Sequence, residues 1–249
     1  MKQFLITIPA GKRLIARAVV ALGQIKEALK SHTIVIVSGT TNGYIAEELL
    51  AMISQTDDFS KEMFFRGINV GLGIMPQKGK YSGTDVVIEK GKWIKEKTIF
   101  NVAQSLGKGD IILKGANAID SERKVAGIQI ANPTIGTSGP ILQAVIGRRA
   151  QLIIPVGLEK RVFASISEIA AKLNEPSSTG LRMLPVSGTI ITELEAIKIL
   201  TGSSAELVAA GGVCGAEGSY WISVTGKQEQ VDSASEIINS IANEPPFSG

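Results

Sequence analysis

Three short apolar runs limit the fold of this chain more than any other feature. They are Ile34-Val-Ile-Val37, Ile111-Ile-Leu113 and Leu152-Ile-Ile-Pro-Val156. Successive apolar positions, rather than alternating ones, are typical of strands buried on both faces of a parallel sheet. Stretches with helical spacing of apolar residues lie between or beside these runs, over 12–30, 44–53, 93–106, 140–149 and 165–173. Strands alternating with helices predict an α/β fold, with a mostly parallel sheet flanked by helices.

A polar segment over 174–180, Asn-Glu-Pro-Ser-Ser-Thr-Gly, is the best candidate for a linker. It divides the chain into a predicted α/β ligand-binding core over 1–175 and a small α+β module over 183–249. In the module we expect strands at 183–186, 205–213 and 220–224 and helices at 192–200 and 228–241. This β-α-β-β-α order is that of a ferredoxin-like unit. So small a unit buries little core alone, so we expect it to dock on the first domain or on another subunit of a homo-oligomer.

The first glycine-bearing turn, Gly39-Thr40-Thr41-Asn42-Gly43, follows a buried strand and precedes a predicted helix. Unpaired backbone N–H groups and the positive end of the helix dipole would face outward there together. Thr40, Thr41 and Asn42 would add hydroxyl and amide donors around a phosphate or carboxylate. The alternative is a capped helix start without a ligand, because Thr and Asn are also ordinary capping residues.

A second turn repeats this arrangement over 133–139, with Thr134, Gly136, Thr137 and Ser138 ahead of another predicted helix. Turns that follow parallel strands open on the carboxyl edge of the sheet, where α/β proteins hold their ligands. We therefore predict that the two turns lie at one edge and bind the two polar ends of one small anionic metabolite.

Lys114, Asn117 and Asp120 are the candidate catalytic residues, because they follow the strand 111–113 on a polar loop. A lysine at a strand end can neutralise a phosphate or an enolate, and a nearby carboxylate can transfer a proton. The competing interpretation is that these are solvated loop charges, and Asp120 beside Ser121-Glu-Arg123 suits it well. Lys12 and Arg13 could also reach an anion, or be the charged first turn of a surface helix.

Composition narrows the function classes without naming a reaction. Lys and Arg outnumber Asp and Glu by only 26 to 23, without a basic stripe, so no nucleic-acid partner is predicted. Cys214 and His32 stand alone, which predicts a reducing, cytoplasmic setting and neither a disulfide nor a metal site. The apolar run 4–9 is too short for a membrane span, and no membrane partner is expected. Gly71-Leu-Gly73 is too weak a signal for a dinucleotide, so no cofactor is predicted.

The order of these motifs resembles the isomerase and CoA-transferase-like superfamily. That group includes ribose-5-phosphate isomerase, glucosamine-6-phosphate deaminase, methylthioribose-phosphate isomerase and the effector domains of DeoR-type repressors. The resemblance covers 33–162 and rests on 38–42, 114–120, 132–137, a helix with Ala144, Arg148 and Arg149, and 152–157. In the sugar-phosphate isomerases the loop matching 115–117 reads Gly-Ala-Asp, and its Asp transfers a proton. This chain has Asn117 at that position, and an amide cannot act as a carboxylate base. Isomerase chemistry would therefore need Asp120 as the base in its place.

Two functions from different classes follow. One is an enzyme that acts on a sugar phosphate or a CoA-type ligand by proton or acyl transfer. The other is a metabolite-binding or regulatory protein that keeps the pocket and lacks the carboxylate.

Overall fold

The computed structural model describes residues 1–66 and 85–247, so the pair Gly71 and Gly73 lies outside the described residues. The helices are α1 Ile8–Ala21, α2 Gly23–Ser31, α3 Thr40–Met52, α4 Ile99–Val102, α5 Ser138–Leu142, α6 Ile166–Leu173, α7 Glu193–Thr201 and α8 Gln228–Ile241. The strands are β1 Lys2–Ile6, β2 Thr33–Ile36, β3 Val86–Glu89, β4 Lys92–Trp93, β5 Ile111–Leu113, β6 Ala118–Asp120, β7 Val125–Ile130, β8 Gln151–Pro155, β9 Arg182–Val186, β10 Thr189–Ile191, β11 Ser204–Ala210 and β12 Tyr220–Thr225. None of these helices is long and apolar enough to cross a membrane.

A six-stranded sheet in the order β10-β8-β5-β2-β3-β4 forms the centre of the protein. Its first four strands are parallel, and β3 and β4 extend it in antiparallel pairing. The three apolar runs are thus the neighbouring interior strands β8, β5 and β2, which confirms the predicted α/β class and the mostly parallel sheet. Each run is apolar throughout because both faces of the sheet are covered.

Alternate residues of these strands enter two separate hydrophobic clusters. Ile34 and Ile36 of β2 belong to the cluster on one side of the sheet, together with residues of α1 and α3. Val35 points to the opposite side, where it meets residues of α4 and α5. Since successive side chains of a strand face opposite ways, a strand between two helical layers must be apolar at every position.

Two three-stranded antiparallel sheets complete the fold, in the orders β6-β7-β9 and β1-β12-β11. Strand pairing crosses the predicted boundary between 175 and 183 in three places, two in these sheets and one in the central sheet. From the second part, β9 pairs with β7 and β10 joins the central sheet, while β1 from the start of the chain pairs with β12. The segment 183–249 therefore does not form the predicted β-α-β-β-α sheet by itself, because its strands find partners in the first part.

Three predicted helices differ from those observed. The stretch 93–106 contains only α4, because Trp93 pairs with Ile88 as strand β4 and Thr98 with Asn101 forms a capping box that starts the helix later. The stretch 12–30 is two helices separated at Leu22, whose backbone is extended. The stretch 140–149 is α5 followed by a π-helical turn, Gln143–Gly147.

Candidate functional site

The carboxyl ends of β2, β5 and β8 lie side by side, since these strands are parallel neighbours. Each end is followed within five residues by polar or charged groups. Gly39 and Thr40 follow β2, Lys114 follows β5, and Glu159 and Lys160 follow β8. This carboxyl edge brings polar and charged groups from three separate parts of the chain together, as expected for an open α/β sheet.

Lys12 of α1 joins the edge from outside the sheet. Its Nζ donates a hydrogen bond of 3.0 Å to Oγ1 of Thr40, the first residue of α3. Gly39 precedes that helix without a side-chain cap, and the first intrahelical hydrogen bond runs from Gly43 N to Gly39 O. The N–H groups of the first turn and a lysine amine therefore lie at one place, which favours an anion there.

Lys114 is partly buried, and within the described ranges no carboxylate lies at ion-pair distance from its amine. Burial, and after it the positive charge of Lys160, lowers the pKa of Lys114 to about 8. The negative charge of Asp85 opposes this shift, with a smaller effect than either. A lysine with this pKa is partly neutral at physiological pH, whereas an ordinary lysine is almost wholly protonated.

Asp85 is a buried carboxylate that already has three partners. Its oxygens accept hydrogen bonds from the backbone N–H groups of Ser38, at 3.1 Å, and Ile99, at 2.9 Å. Nη2 of Arg66 lies 3.1 Å from Oδ1. Its charge therefore fixes the start of β3 against the end of β2 and the start of α4, and it does not neutralise Lys114.

Glu193 at the start of α7 is fully buried beside this edge. Its Oε1 accepts a hydrogen bond of 2.5 Å from Tyr220 Oη, and its Oε2 accepts one of 2.9 Å from Leu158 N. Burial, together with the negative charge of Glu159, raises the pKa of Glu193 to about 7. Since the charge of Glu193 also acts on Lys12, this carboxyl group is electrostatically connected to the lysine at the carboxyl edge.

The raised pKa of Glu193 predicts that stability falls as the pH rises. The folded protein keeps this proton up to about pH 7, whereas the unfolded chain releases it near the ordinary value of 4.5. Between these values the folded state binds more protons, so the free energy of unfolding decreases with increasing pH. Glu193→Gln, which resembles the protonated acid, should flatten this decrease when urea unfolding is measured at about pH 5 and about pH 8. Equal slopes for both proteins would contradict the assignment.

The structure places Thr41 and Asn42 inside the protein rather than at the open edge. Asn42 Nδ2 donates to the carbonyl oxygens of Val37 and Leu113, at 2.7 and 3.0 Å, which ties the ends of β2 and β5 together. Oγ1 of Thr41 and Oδ1 of Asn42 are buried and have no hydrogen-bond partner within the described ranges. Thr40 is the residue of this turn that meets Lys12.

Asn117 and Asp120 make hydrogen bonds within the fold that the sequence pattern did not predict. Oδ1 of Asn117 accepts from Gln129 N on β7, at 3.0 Å. Asp120 is buried and accepts from both the backbone and the side chain of Arg123, each at 3.0 Å. The backbone hydrogen bond of Arg123 is the main cause that lowers the pKa of Asp120. Asp120 therefore stabilises the turn between β6 and β7, which makes it a poor proton acceptor.

The second glycine-bearing turn does not follow a parallel strand. It follows β7, which belongs to an antiparallel sheet, so the reason given for placing it at the carboxyl edge is wrong. Within it, Asn132 Oδ1 accepts from both N and Oγ1 of Thr134, and Gly136 has a positive φ of 54°. Thr137 precedes α5 and Ser138 is its first, buried residue. The shared ligand of the two turns stays a prediction.

The sequence prediction missed Lys160, Glu159 and Glu193. The first two had a usable signal, because they come shortly after the predicted strand 152–156 and so lie at the same edge as Lys114. Glu193 had no such signal in the sequence, since its buried position depends on a hydrogen bond from Tyr220, which begins β12 in the sheet β1-β12-β11.

A cavity of about 220 Å³ adjoins the Lys12 side of the carboxyl edge. Its walls come from Pro9 and Lys12 of α1, Tyr44 of α3, Glu217 and Phe247. The cavity offers space for a small molecule beside the amine of Lys12. The described ranges contain no group of three or more histidine, cysteine or carboxylate residues able to hold a metal ion.

Comparison with family models, with curated proteins and with solved structures finds no match. The resemblance to the isomerase and CoA-transferase-like superfamily therefore rests on the motifs of the chain alone and stays a prediction.

Proposed function

We propose that this protein binds a small phosphorylated metabolite, either a sugar phosphate or a CoA-linked compound, at the carboxyl edge of its parallel sheet. The observation that carries the proposal is Lys114, a desolvated amine without a carboxylate partner in the described ranges. A bound anion would supply the missing charge and favour the protonated amine.

The neighbours of Lys114 support an anion rather than a neutral ligand. Lys160 is close enough to affect the pKa values of both Lys114 and Lys12, so three amines converge on one region. The first turn of α3 adds backbone donors where Thr40 meets Lys12. Like charges that repel one another in the free protein are stabilised together when a phosphate binds among them.

Catalysis of proton transfer is the second candidate function, and the pair Glu159 and Glu193 favours it. The negative charge of Glu159 contributes to the raised pKa of Glu193, and the charges of both residues act on Lys12. A carboxyl group whose pKa lies near 7 can both give and take a proton at neutral pH. Exchange of a proton of the bound ligand for deuterium, followed by NMR in D₂O, distinguishes an enzyme from a binding protein.

If the proposal is right, a bound anion should raise Tm, and the rise should depend on Lys114. A ligand at a hundred times its dissociation constant stabilises the folded state by about 2.7 kcal/mol, which raises Tm by about 5–10 °C for a chain of this size. Inorganic phosphate, sugar phosphates, nucleotides and acyl-CoAs form the screen. In Lys114→Met the shift should fall to about half or less, since a charged hydrogen bond contributes about 1.5–3 kcal/mol.

The matched control is Lys26→Met, which removes an exposed lysine of α2. It should keep the full ligand-dependent shift. The proposal fails if none of these anions raises Tm, or if the Lys114 and Lys26 variants respond alike.

A further inference from the structure

Lys114 has the surroundings of a nucleophilic amine. Among the residues that the structure describes, its Nζ donates a single long hydrogen bond, 3.3 Å, to the carbonyl oxygen of the adjacent Gly115. The negative charge that acts on its pKa, that of Asp85, is held by two backbone N–H groups and by Arg66. Lys114 follows β5 at the carboxyl edge, and the residue as a whole is only partly buried, so a ligand at this edge would approach it there.

The charges around Lys114 favour its neutral form. Burial is the first cause, and Lys160 and Arg66 add two positive charges that disfavour a third. With its pKa lowered to about 8, roughly two hundred times more of this amine is neutral at about pH 7.5 than of an ordinary lysine. Desolvation and neighbouring cations are the two means by which lysines are activated for attack on carbonyl carbon.

Lys12 is the other lysine at this edge whose pKa burial lowers, and its situation differs. Its amine donates to Thr40 Oγ1, and the negative charges of Glu159 and Glu193 act on it in the direction of protonation. Two carboxylates therefore oppose the loss of the proton from Lys12, whereas Lys160 and Arg66 favour its loss from Lys114 and, among the charges of the described residues that act on this amine, Asp85 alone opposes it.

We propose that Lys114 forms an imine with an aldehyde or ketone that also carries a phosphate group, while Lys12, Lys160 and the first turn of α3 hold the phosphate. This inference rests on the proposed function, because it uses the same anion site, and it adds the chemical class of the ligand.

The reaction balances without a further reactant. The nitrogen lone pair of Lys114 forms a C–N bond to the carbonyl carbon as the C–O π bond breaks. A proton passes from nitrogen to oxygen to give a carbinolamine. Loss of that oxygen as water, with a second proton, leaves the C=N bond of the imine. Borohydride, added as the reductant, delivers hydride to the imine carbon, and the nitrogen takes a proton from water, which converts the reversible adduct into a stable secondary amine.

Pyridoxal phosphate, which carries both an aldehyde and a phosphate, is the probe. The protein is incubated with it at about pH 7.5 and reduced with borohydride, and the modified lysine is located by peptide mass spectrometry. Lys114 should be modified at least about ten times faster than exposed Lys26, with a half-maximal rate near pH 8. Lys114→Arg keeps the charge but cannot form an imine, so it should lose this modification.

Two related compounds separate the parts of the inference. Pyridoxamine phosphate carries the phosphate without an aldehyde, and it should raise Tm and protect Lys114. Pyridoxal carries the aldehyde without the phosphate, and it should modify Lys114 much more slowly.

Three results would overturn the inference. If pyridoxamine phosphate raises Tm but pyridoxal phosphate leaves Lys114 unmodified, the imine is wrong and the proposed phosphate site stands. If pyridoxal modifies Lys114 as fast as its phosphate does, without protection, the phosphate site is wrong and with it the proposed function. If modification spreads evenly over the exposed lysines, Lys114 is not an activated amine.

Discussion

Replacing Arg13 with methionine should lower the free energy of unfolding by about 3–5 kcal/mol, the range found when one partner of a buried ion pair is removed. Arg13 lies in α1, and only a tenth of its side chain is exposed. Its guanidinium pairs with Glu47 and Glu48 of α3 and with Glu244 after α8. One cation therefore joins three parts of the chain.

The size of the effect follows from what the substitution leaves behind. Glu244 accepts from both Nε and Nη2 of Arg13, at 3.0 and 2.9 Å, and would remain partly buried without either donor. Burial opposes ionisation of Glu47, but hydrogen bonds from Arg13 and Lys61 outweigh it and lower the pKa of that carboxyl group. The guanidinium also lies 4.8 Å from the ring centre of Tyr44, a contact that methionine keeps only as packing.

Arg17→Met is the matched control, because it removes the same side chain from the next turn of α1. Arg17 donates to a single neutral hydroxyl, Ser240 Oγ, at an exposed position. Its loss should change the free energy of unfolding by less than about 1 kcal/mol. Urea denaturation measures both variants, and equal losses for Arg13→Met and Arg17→Met would show that the three-carboxylate contact contributes little.

The fold was predictable where a local pattern determines the structure. The runs at β2, β5 and β8 are apolar at successive positions, so their place as strands buried on both faces of the central sheet could be inferred from the sequence pattern. The partners of β1 and β9 could not be inferred in this way. Each is a short strand whose position depends on pairing with β12 or β7, far away in sequence, and no local propensity encodes that choice.

In the candidate site, too, a local sequence pattern predicts some residues, whereas the position of others depends on partners elsewhere in the structure. Lys114 and Thr40 were predictable because strand ends of a parallel sheet converge. The contacts of Asp120 were not predictable because they depend on Arg123, whose backbone and side chain both donate to the carboxylate. Its catalytic role stays a prediction. A carboxylate three residues before a possible donor can cap a turn as readily as it can take part in catalysis. Glu193 is recognisable only when Tyr220 is in place.

Gly11→Ala should destabilise the protein by about 3 kcal/mol or more, although alanine is the better helix former. Gly11 lies inside α1, where intrinsic propensity favours alanine by about 1 kcal/mol. A Cβ atom there would lie 2.0 Å from Tyr220 Oη and 2.6 Å from Glu193 Oε1. Both side chains are fully buried, so they cannot move aside without breaking their mutual hydrogen bond, and overpacking a core costs about 1–3 kcal/mol before that loss.

Tyr220→Phe tests whether this contact is the cause. Removing the hydroxyl takes away the nearer clashing atom, so in the double variant Gly11→Ala with Tyr220→Phe the loss should be smaller than the sum of the single losses, by about 1 kcal/mol or more. Gly23→Ala serves as the control, since nothing lies within 4 Å of a Cβ at the start of α2. It should leave stability unchanged or slightly raised in the same urea titrations. If the losses of stability in the double variant are additive, the clash with the Tyr220 hydroxyl is not the reason that Gly11→Ala destabilises the protein.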